Sequence, residues 1–435
     1  MAMMPYPWLL VLCVFGLLVV LGTTSGLTNE RLWVSEPLAC ALAGIALGSA
    51  GVGLLRLDPT HDPASAAVLR EAARVTLAVS VTGAALRLPA GWARANWRGM
   101  AVALGPGMLL MWAAGSVVAA AALGLPVMTA LLIGAAVAPT DPVLSAPILT
   151  GRLAGRAVPD GLRYALTAES GANDGLALPL VMLPVLLLGH GPAEAGREWL
   201  VYVMVWEIGS AVLVGAALGW LASHCLGWAA GRPDAEPTSL VTAVLALALA
   251  ALAAVRVLGG DGVLAAFVAG LVLNEGIRAS QAEERNQRFN EALGRFFDLP
   301  VMIVFGAAIP WSAWVGLGWR GLAFAAGVLL LRRPPAWLLL SGFMPWTRSP
   351  ARALFAGWFG PVGAAAMFYA VEVQDRIGSA AIWPAVSLAV GASIVAHGVT
   401  GTPLTWVFGD WEKPGFRRAA RDSGKDPLAP QDSAE

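Results

Sequence analysis

Apolar stretches long enough to cross a lipid bilayer recur along nearly the whole chain. A helix of about 17 to 25 apolar residues spans a hydrocarbon layer of about 30 Å. Lipid offers no partner to an unpaired backbone group, so such stretches fold as helices. We therefore predict an all-α polytopic membrane protein of about 13 transmembrane spans, near residues 8–25, 36–54, 69–86, 99–123, 128–149, 163–188, 199–228, 238–258, 262–276, 298–312, 320–340, 353–373 and 379–405.

The composition excludes an ordinary soluble domain. Of the 435 residues, 57% are hydrophobic and 13% are charged, which is about half the charged fraction of a typical globular protein. The 50 Gly and 29 Pro lie largely inside apolar segments, where they permit close helix contacts and helix breaks rather than linkers. The three cysteines are scattered singly, so neither a disulfide framework nor a zinc site is expected.

The distribution of basic residues predicts the orientation. With the N-terminus outside, loops on the cytoplasmic side carry nineteen Lys and Arg, whereas the outer side carries seven. This bias follows the positive-inside rule and fits an odd number of spans. After about residue 408 the chain becomes polar and charged, which predicts a short disordered cytoplasmic tail over 408–435.

Ionisable residues inside the apolar stretches are the main functional candidates. Each costs at least about 2.5 to 3.5 kcal/mol near the bilayer centre, so those that occur usually serve a function. The clearest are Asp141, Glu169, Asp174, Arg332 and Arg333. Three further acids, to which the sequence assigns no role, are Glu207, Asp261 and Glu372.

Span five is interrupted at its middle by the motif Thr140-Asp141-Pro142. Pro139 and Pro142 remove backbone donors and push the residues before them out of the helical conformation. An opened segment frees carbonyl groups, including that of Thr140, which can bind a cation. We expect Asp141 to cap the helix half that follows it.

Span six carries four polar residues at helical spacing. Glu169 and Asn173 are four residues apart and share one face, as do Ser170 and Asp174. Ser170 and Asp174 offer a hydroxyl and a carboxylate to a hard cation, which prefers oxygen ligands. Glu169, on the neighbouring face, needs a cationic partner.

Span eleven supplies that partner in the segment LLLRRPPAWLLL. A guanidinium keeps its charge when buried and forms two parallel hydrogen bonds with a carboxylate. We expect Arg333, directly before Pro334, to pair with Glu169. Span twelve is broken at its middle by Gly360, Pro361 and Gly363. Its position matches span five if two halves of six spans form inverted repeats, and paired breaks of this kind indicate a transporter's substrate site.

These motifs together resemble the sodium/proton exchanger branch, of NhaP type, in the cation:proton antiporter superfamily. The segments APTDPVLS, ALTAESGANDGLALP, GVLAAFVAGLVL, the arginine before proline in span eleven, GWFGPVGAAAMFYA and SIVAHGVTGTPL follow the order seen in that family. The GWFGPVG segment is most similar to the fungal plasma-membrane antiporters and their bacterial relatives. The resemblance covers almost the entire chain.

The resemblance implies a fold and an assembly. It implies a homodimer whose transmembrane domain spans 1–407 with crossed, discontinuous helices 5 and 12. Dimerisation helices would occupy about 8–86 and 199–312, and a mobile core would occupy about 99–188 and 320–405. It also implies a multi-pass protein of a bacterial inner membrane that contributes to pH homeostasis.

The resemblance also assigns roles to residues. Asp174 would alternately hold cation and proton, and Ser170 and the carbonyl of Thr140 would bind the cation with Asp141 close by in the crossing helix. Asn173, Glu169 and Arg333 would support the site. The adjacent Asn-Asp pair resembles the electroneutral branch, which implies one proton for each monovalent cation. Family members often carry an acidic residue in the third helix, where this chain has only Ser80 and Thr82.

The function expected from the sequence is exchange of Na⁺, Li⁺ or K⁺ for H⁺ by competition of the two ions at Asp174. No cofactor, enzymatic activity or nucleic-acid partner is expected. One alternative is an intramembrane aspartyl protease that uses Asp141 and Asp174, since such enzymes need two aspartates that share a water. A passive cation channel is another alternative.

Overall fold

The computed structural model describes residues 9–17, 35–142, 144–230, 240–276 and 296–413. Every regular element in these ranges is a helix. The main helices are α1 (9–17), α2 (Glu36–Leu47), α3 (Pro63–Leu86), α4 (Trp97–Leu123), α5 (Val127–Val137), α6 (Gly151–Ala157), α7 (Asp160–Gly189), α8 (Pro192–Ala229), α9 (Leu240–Val257), α10 (Val263–Gly276), α11 (Phe296–Ala307), α12 (Trp311–Leu331), α13 (Pro334–Leu340), α14 (Pro350–Trp358), α15 (Ala364–Ile377) and α16 (Ile382–Glu412).

Five helical stretches in these ranges are long and apolar enough to cross a membrane. They are Trp97–Leu123, Asp160–Gly189, Pro192–Ala229, Trp311–Phe343 and Ile382–Glu412. Shorter apolar helices, such as Val127–Val137 and Val263–Gly276, occur between them. The all-α membrane fold predicted from the sequence is confirmed, whereas the number of 13 spans and the inverted repeat stay predictions.

Two predicted spans are broken where the sequence places prolines and glycines. In span five, α5 ends at Val137 and the chain is non-helical around Thr140 and Asp141. In span twelve, α14 ends at Trp358 and α15 begins at Ala364. A third interruption separates α12 from α13 at Arg332 and Arg333.

The last helix is longer than the sequence indicates. The sequence predicts a polar tail from about residue 408, and α16 continues to Glu412. Arg352, near the start of α14, donates to both carboxylate oxygens of Glu412 at 2.8 and 2.6 Å. This ion pair holds the final turn against α14. The predicted disordered tail, from residue 414 onward, lies outside the described residues.

Small residues bring the helices into close contact. A Cβ at Gly44 of α2 or at Gly306 of α11 would collide with the backbone of the opposite helix. Similarly, a Cβ at Gly175 of α7 would lie 2.7 Å from Leu264 of α10. Glycine at these positions lets backbones approach, which is how helices pack where burial from water gives little driving force. The contact at Gly175 positions α7, the helix of Ser170 and Asp174, against α10.

Candidate functional site

The two broken helices meet at Asp141. Its backbone N–H donates to the carbonyl of Pro361 at 2.9 Å, and its Oδ2 accepts the N–H of Ala364 at 2.8 Å. Its Oδ1 accepts the N–H of Leu144 at 3.3 Å. Asp141 therefore lies at the start of the helical turn that follows it, as we expected, and also caps α15, which the sequence did not predict.

Glycines make this crossing possible. A Cβ at Gly363 would collide with the carboxylate of Asp141, and a Cβ at Gly360 would collide with the side chain of Arg333. The two glycines of the Gly-Pro-x-Gly segment in span twelve therefore do more than break the helix. They leave room for the side chains of Asp141 and Arg333 to approach the backbone closely.

Arg332 binds the carbonyl groups that the two breaks leave unpaired. Its Nη1 donates to the carbonyls of Val137, Ala138 and Pro139 at 2.5 to 3.2 Å. Its Nη2 donates to the carbonyl of Gly360. The side chain is only 2% exposed. The sequence assigned no role to Arg332, although two broken helices necessarily leave orphan carbonyls for which a neighbouring guanidinium is a suitable donor.

Arg333 is the arginine that contacts Glu169. Its Nη1 and Nη2 donate to Oε1 and Oε2 of Glu169 at 2.7 and 3.0 Å, and both side chains are at most 1% exposed. The Nε of Arg333 donates to the carbonyl of Ala356 at 3.1 Å, and its guanidinium lies 4.3 Å from the ring centroid of Trp337. The pair joins α7 to the interruption between α12 and α13.

Thr140 links the two faces of α7. Asn173 accepts the backbone N–H of Thr140 at 3.1 Å and donates to its Oγ1 at 2.8 Å and to Glu169 at 2.9 Å. The Oγ1 of Thr140 also lies 3.1 Å from the hydroxyl of Ser170. Helical spacing indicated two separate faces, but one hydroxyl of the crossing helix contacts both.

Asp174 lies one helical turn beyond Ser170 and is fully buried. Neither carboxylate oxygen has a hydrogen-bond partner within the described part of the chain. Its backbone carbonyl accepts the hydroxyl of Tyr369 at 2.6 Å. Tyr369 of α15 was not singled out by the sequence, where it occurs as one aromatic residue in an apolar run. It ties the Asp174 turn to the helix that Asp141 caps.

Three residues at and near the break carry side-chain oxygen atoms. Thr140, Ser170 and Asp174 present hydroxyl and carboxylate oxygens from two elements, and such ligands are those that hard cations prefer. Within the described ranges, no three His, Cys, Asp or Glu residues lie close enough together to hold a metal ion. A cation here would therefore depend on hydroxyl and backbone oxygens beside a single carboxylate.

Broken helices that cross at buried polar groups are the architecture of secondary transporters. The chain belongs to the sodium/hydrogen exchanger family, because the family model described as "Sodium/hydrogen exchanger, transmembrane" matches residues 16–407. The predicted relationship to cation:proton antiporters of NhaP type is thereby confirmed. It is a multi-pass membrane protein.

Similar proteins include fungal antiporters. A probable Na⁺/H⁺ antiporter of Schizosaccharomyces pombe is 30% identical over 85% of this chain and 52% of that relative. The Na⁺/H⁺ antiporter 2 of Zygosaccharomyces rouxii is 27% identical over 87% of this chain and 50% of that relative. The chain thus spans about half the length of these two relatives.

A solved structure shows the same fold. The sodium proton antiporter MjNhaP1 of Methanocaldococcus jannaschii matches with a TM-score of 0.71 at 18% identity. The match covers 94% of this chain and 99% of that protein.

Proposed function

We propose that this protein is a secondary active antiporter that exchanges Na⁺, or the related Li⁺ or K⁺, for H⁺. Family membership and the Na⁺/H⁺ antiporters among its relatives support this function. The crossed helix breaks support it independently, because unwound backbone near the middle of a membrane is tolerated where it is buried in protein or lines a cavity.

The burial of Asp174 carries the proposal. A carboxylate that is fully buried and lacks hydrogen-bond donors is very costly when ionised and alone. It therefore needs either a proton or a bound cation. Ser170 lies one turn before Asp174 in the same helix with its hydroxyl 3.1 Å from that of Thr140, and we expect these hydroxyls to supply further oxygen ligands. Exchange follows when the two ions compete for this one group.

Alternating access follows from the same cost. With a cation or a proton at Asp174, the core can move past the dimerisation helices and present the site to the other side. With neither ion bound, the charged carboxylate is too costly to carry across the membrane. The two ions are thereby obliged to move in opposite directions.

The remaining charges favour electroneutral exchange. Glu169 and Arg333 neutralise each other through two hydrogen bonds. Asn173, next to Asp174, is neutral and is engaged by Thr140 and Glu169. Both oxygens of Asp141 accept backbone N–H groups, which favours a capping role over direct exchange. Of the three acids Asp141, Glu169 and Asp174, only Asp174 has no hydrogen bond to its carboxylate among the described residues, which supports exchange of one proton for one monovalent cation at this residue.

The proposal includes the surroundings of the protein. We expect a homodimer in a bacterial inner membrane, with the N-terminus outside and the C-terminus in the cytoplasm. The dimerisation helices, about 8–86 and 199–312, would stay in place while the core, about 99–188 and 320–405, moves. Strongly exposed apolar side chains on α8, such as Val205, Leu213 and Trp220, support contact of this helix with lipid or with a second copy.

A transport assay in proteoliposomes tests the function. A pH-sensitive dye inside the vesicles reports proton movement when Na⁺, Li⁺ or K⁺ is added outside. We expect Asp174→Asn and Asp174→Ala to abolish the response while the protein remains folded and dimeric. Asp160→Asn changes an exposed aspartate at the start of the same helix and should transport normally. Full activity in Asp174→Ala would overturn the assignment.

The same vesicles separate the alternatives. An electroneutral antiporter should exchange at a rate that does not depend on an imposed membrane potential. A passive channel would conduct the cation without moving protons. The alternative of an aspartyl protease requires Asp141 and Asp174 to share a water, whereas both oxygens of Asp141 are engaged in helix capping.

A further inference from the structure

A second cluster of charged residues connects α3 with α15. Arg74 of α3 is 3% exposed. Its guanidinium lies 2.5 Å from Glu71, 3.5 Å from Glu372 of α15 and 3.8 Å from Asp261, and it also covers the ring of Phe368 at 4.9 Å. One arginine therefore contacts carboxylates from three elements. Two of these elements, α3 and α15, belong to the parts that we expect to move relative to each other.

The loop between α9 and α10 brings Asp261 next to Glu207 of α8. Tyr202 and Trp206 of α8 donate to the loop carbonyls of Gly259 and Leu258 at 3.4 and 3.1 Å. The turn needs positive φ at Gly259 and Gly262, both at 88°. A Cβ built on Gly260 would lie 4.0 Å from the Cα of Glu207, so the residue directly before Asp261 lies near the backbone of Glu207.

Two carboxylate oxygens in this cluster are buried and unpartnered among the described residues. They are Oε2 of Glu207, a residue only 8% exposed, and Oδ2 of Asp261. The cluster contains five carboxylates and four guanidinium groups, namely Glu71, Glu207, Asp261, Glu372, Asp375, Arg70, Arg74, Arg256 and Arg376. One negative charge is in excess. A single proton shared by the two unpartnered carboxylates would make the cluster neutral.

We propose that Glu207 and Asp261 form a second proton-binding site, separate from Asp174, and that Arg74 transmits its charge to the contact between α3 and α15. The part of this inference that concerns transport rests on the proposed antiport function. The part that concerns proton binding does not.

The surroundings of Asp261 let it keep a proton at a higher pH than an ordinary aspartate does. Burial raises the pKa of Asp261, which lies in the loop outside the helices, to about 6, and Arg74 only partly offsets this effect. Glu372 raises the pKa further, whereas Arg256 and a hydrogen bond from the N–H of Val263 lower it. Tyr369 and Arg376 complete the charged and titratable groups that interact with Glu207 and Asp261.

Arg74 couples the number of protons bound by Glu207 and Asp261 to the contact between α3 and α15. When the pair holds a proton, the charge of Arg74 is shared between Glu71 and Glu372 without competition from Asp261, and the bridge between α3 and α15 is strong. When the pair is fully ionised, Asp261 competes for the same guanidinium and the bridge weakens. Deprotonation should therefore release α15 and accelerate the movement of the core.

Thermal unfolding in detergent tests proton binding without any transport. Because the pKa of Asp261 is raised in the folded protein, the folded state should lose stability as the pH rises from about 4 to about 6. Asp261→Asn and Glu207→Gln remove this loss, so their unfolding midpoints should exceed that of the parent protein by several degrees at pH 7.5. At pH 4.5 the difference should shrink. Asp58→Asn, an exposed change in the nearby 55–62 loop, should follow the parent protein.

Transport assays test the coupling. Both variants mimic the protonated pair, so their exchange rate at pH 7.5 should fall severalfold toward the rate of the parent protein at low pH. Glu372→Gln removes the α15 end of the bridge. It should abolish the effect of pH on the exchange rate. In the Glu372→Gln background, Asp261→Asn should still raise the unfolding midpoint more at pH 7.5 than at pH 4.5.

The outcomes are distinguishable. If no protein transports any of the three cations, the proposed function fails but the unfolding curves still decide on the proton site. If Asp261→Asn and Glu207→Gln match the parent protein in both pH profiles, the second proton site is excluded. If only stability changes, the site is retained and its coupling to the core is overturned.

Discussion

The backbone N–H of Ala364 donates to Oδ2 of Asp141 at 2.8 Å, so a side chain from one broken helix caps the start of another. The N-terminus of a helix carries a partial positive charge and unpaired N–H groups. The carboxylate of Asp141 supplies a negative charge near the start of α15 and an acceptor for the N–H of Ala364. It thereby fixes the position of α15, whose Tyr369 contacts the backbone of Asp174.

Removing this cap should destabilise the crossing. Asp141→Ala leaves the N–H of Ala364 buried without its acceptor, and we expect a loss of about 1 to 3 kcal/mol of unfolding free energy. Asp141→Asn keeps an acceptor oxygen and should lose less. Thermal unfolding in detergent should show that the parent protein is the most stable, followed by Asp141→Asn and then Asp141→Ala. An Ala variant as stable as the parent protein would show that the cap contributes nothing.

The ion pair between Glu169 and Arg333 should behave non-additively. Glu169→Ala leaves a buried guanidinium without its partner, and Arg333→Ala leaves a buried carboxylate in the same state, so each should cost about 3 to 5 kcal/mol. The double variant removes both charges and should be more stable than the sum of the single losses implies. Additive unfolding free energies would mean that the two side chains act independently.

The sequence indicated the breaks and the costly residues because both are local properties. Pro139 and Pro142 remove two backbone donors within four residues and disfavour a continuous helix, and a carboxylate such as Asp174 in an apolar span is expensive in any fold. The pairing of Glu169 with an arginine also followed from charge, because Arg332 and Arg333 occur near the middle of a predicted span.

Other features depend on how distant segments meet. The contact of Arg332 with carbonyls from both breaks requires the crossing to be known, as does the capping of α15 by Asp141. The position of Tyr369 against Asp174, and of Asp261 beside Glu207, likewise depends on helix rotation and loop path. Glu207, Asp261 and Glu372 received no role from the sequence because each has meaning only in the presence of the others.

Arg332 should be required for the shape of the crossing. Arg332→Gln removes donors to the carbonyls of Val137, Ala138, Pro139 and Gly360 and leaves them buried and partly unpaired. Arg332→Lys keeps the charge but not the planar set of five N–H donors. We expect stability and transport to decrease from the parent protein to Arg332→Lys and further to Arg332→Gln. Unfolding and the dye assay on the same preparations measure the two properties. Equal activity in all three would show that the carbonyls do not need this donor.

The close approach at the second break should make its glycines sensitive to a single methyl group. Gly363→Ala would push against the carboxylate of Asp141, and Gly360→Ala against the side chain of Arg333. Overpacking of a tight site typically costs about 1 to 3 kcal/mol, and here it would also displace the cap and the ion pair. Gly209→Ala in α8 is the matched control, because a Cβ there meets nothing within 4 Å. That change should be neutral or stabilise the helix by about 0.5 to 1 kcal/mol. If transport falls in the Gly363 and Gly360 variants but not in the Gly209 variant, exchange depends on the geometry of the crossing. Equal transport in all three variants would show that exchange does not depend on it.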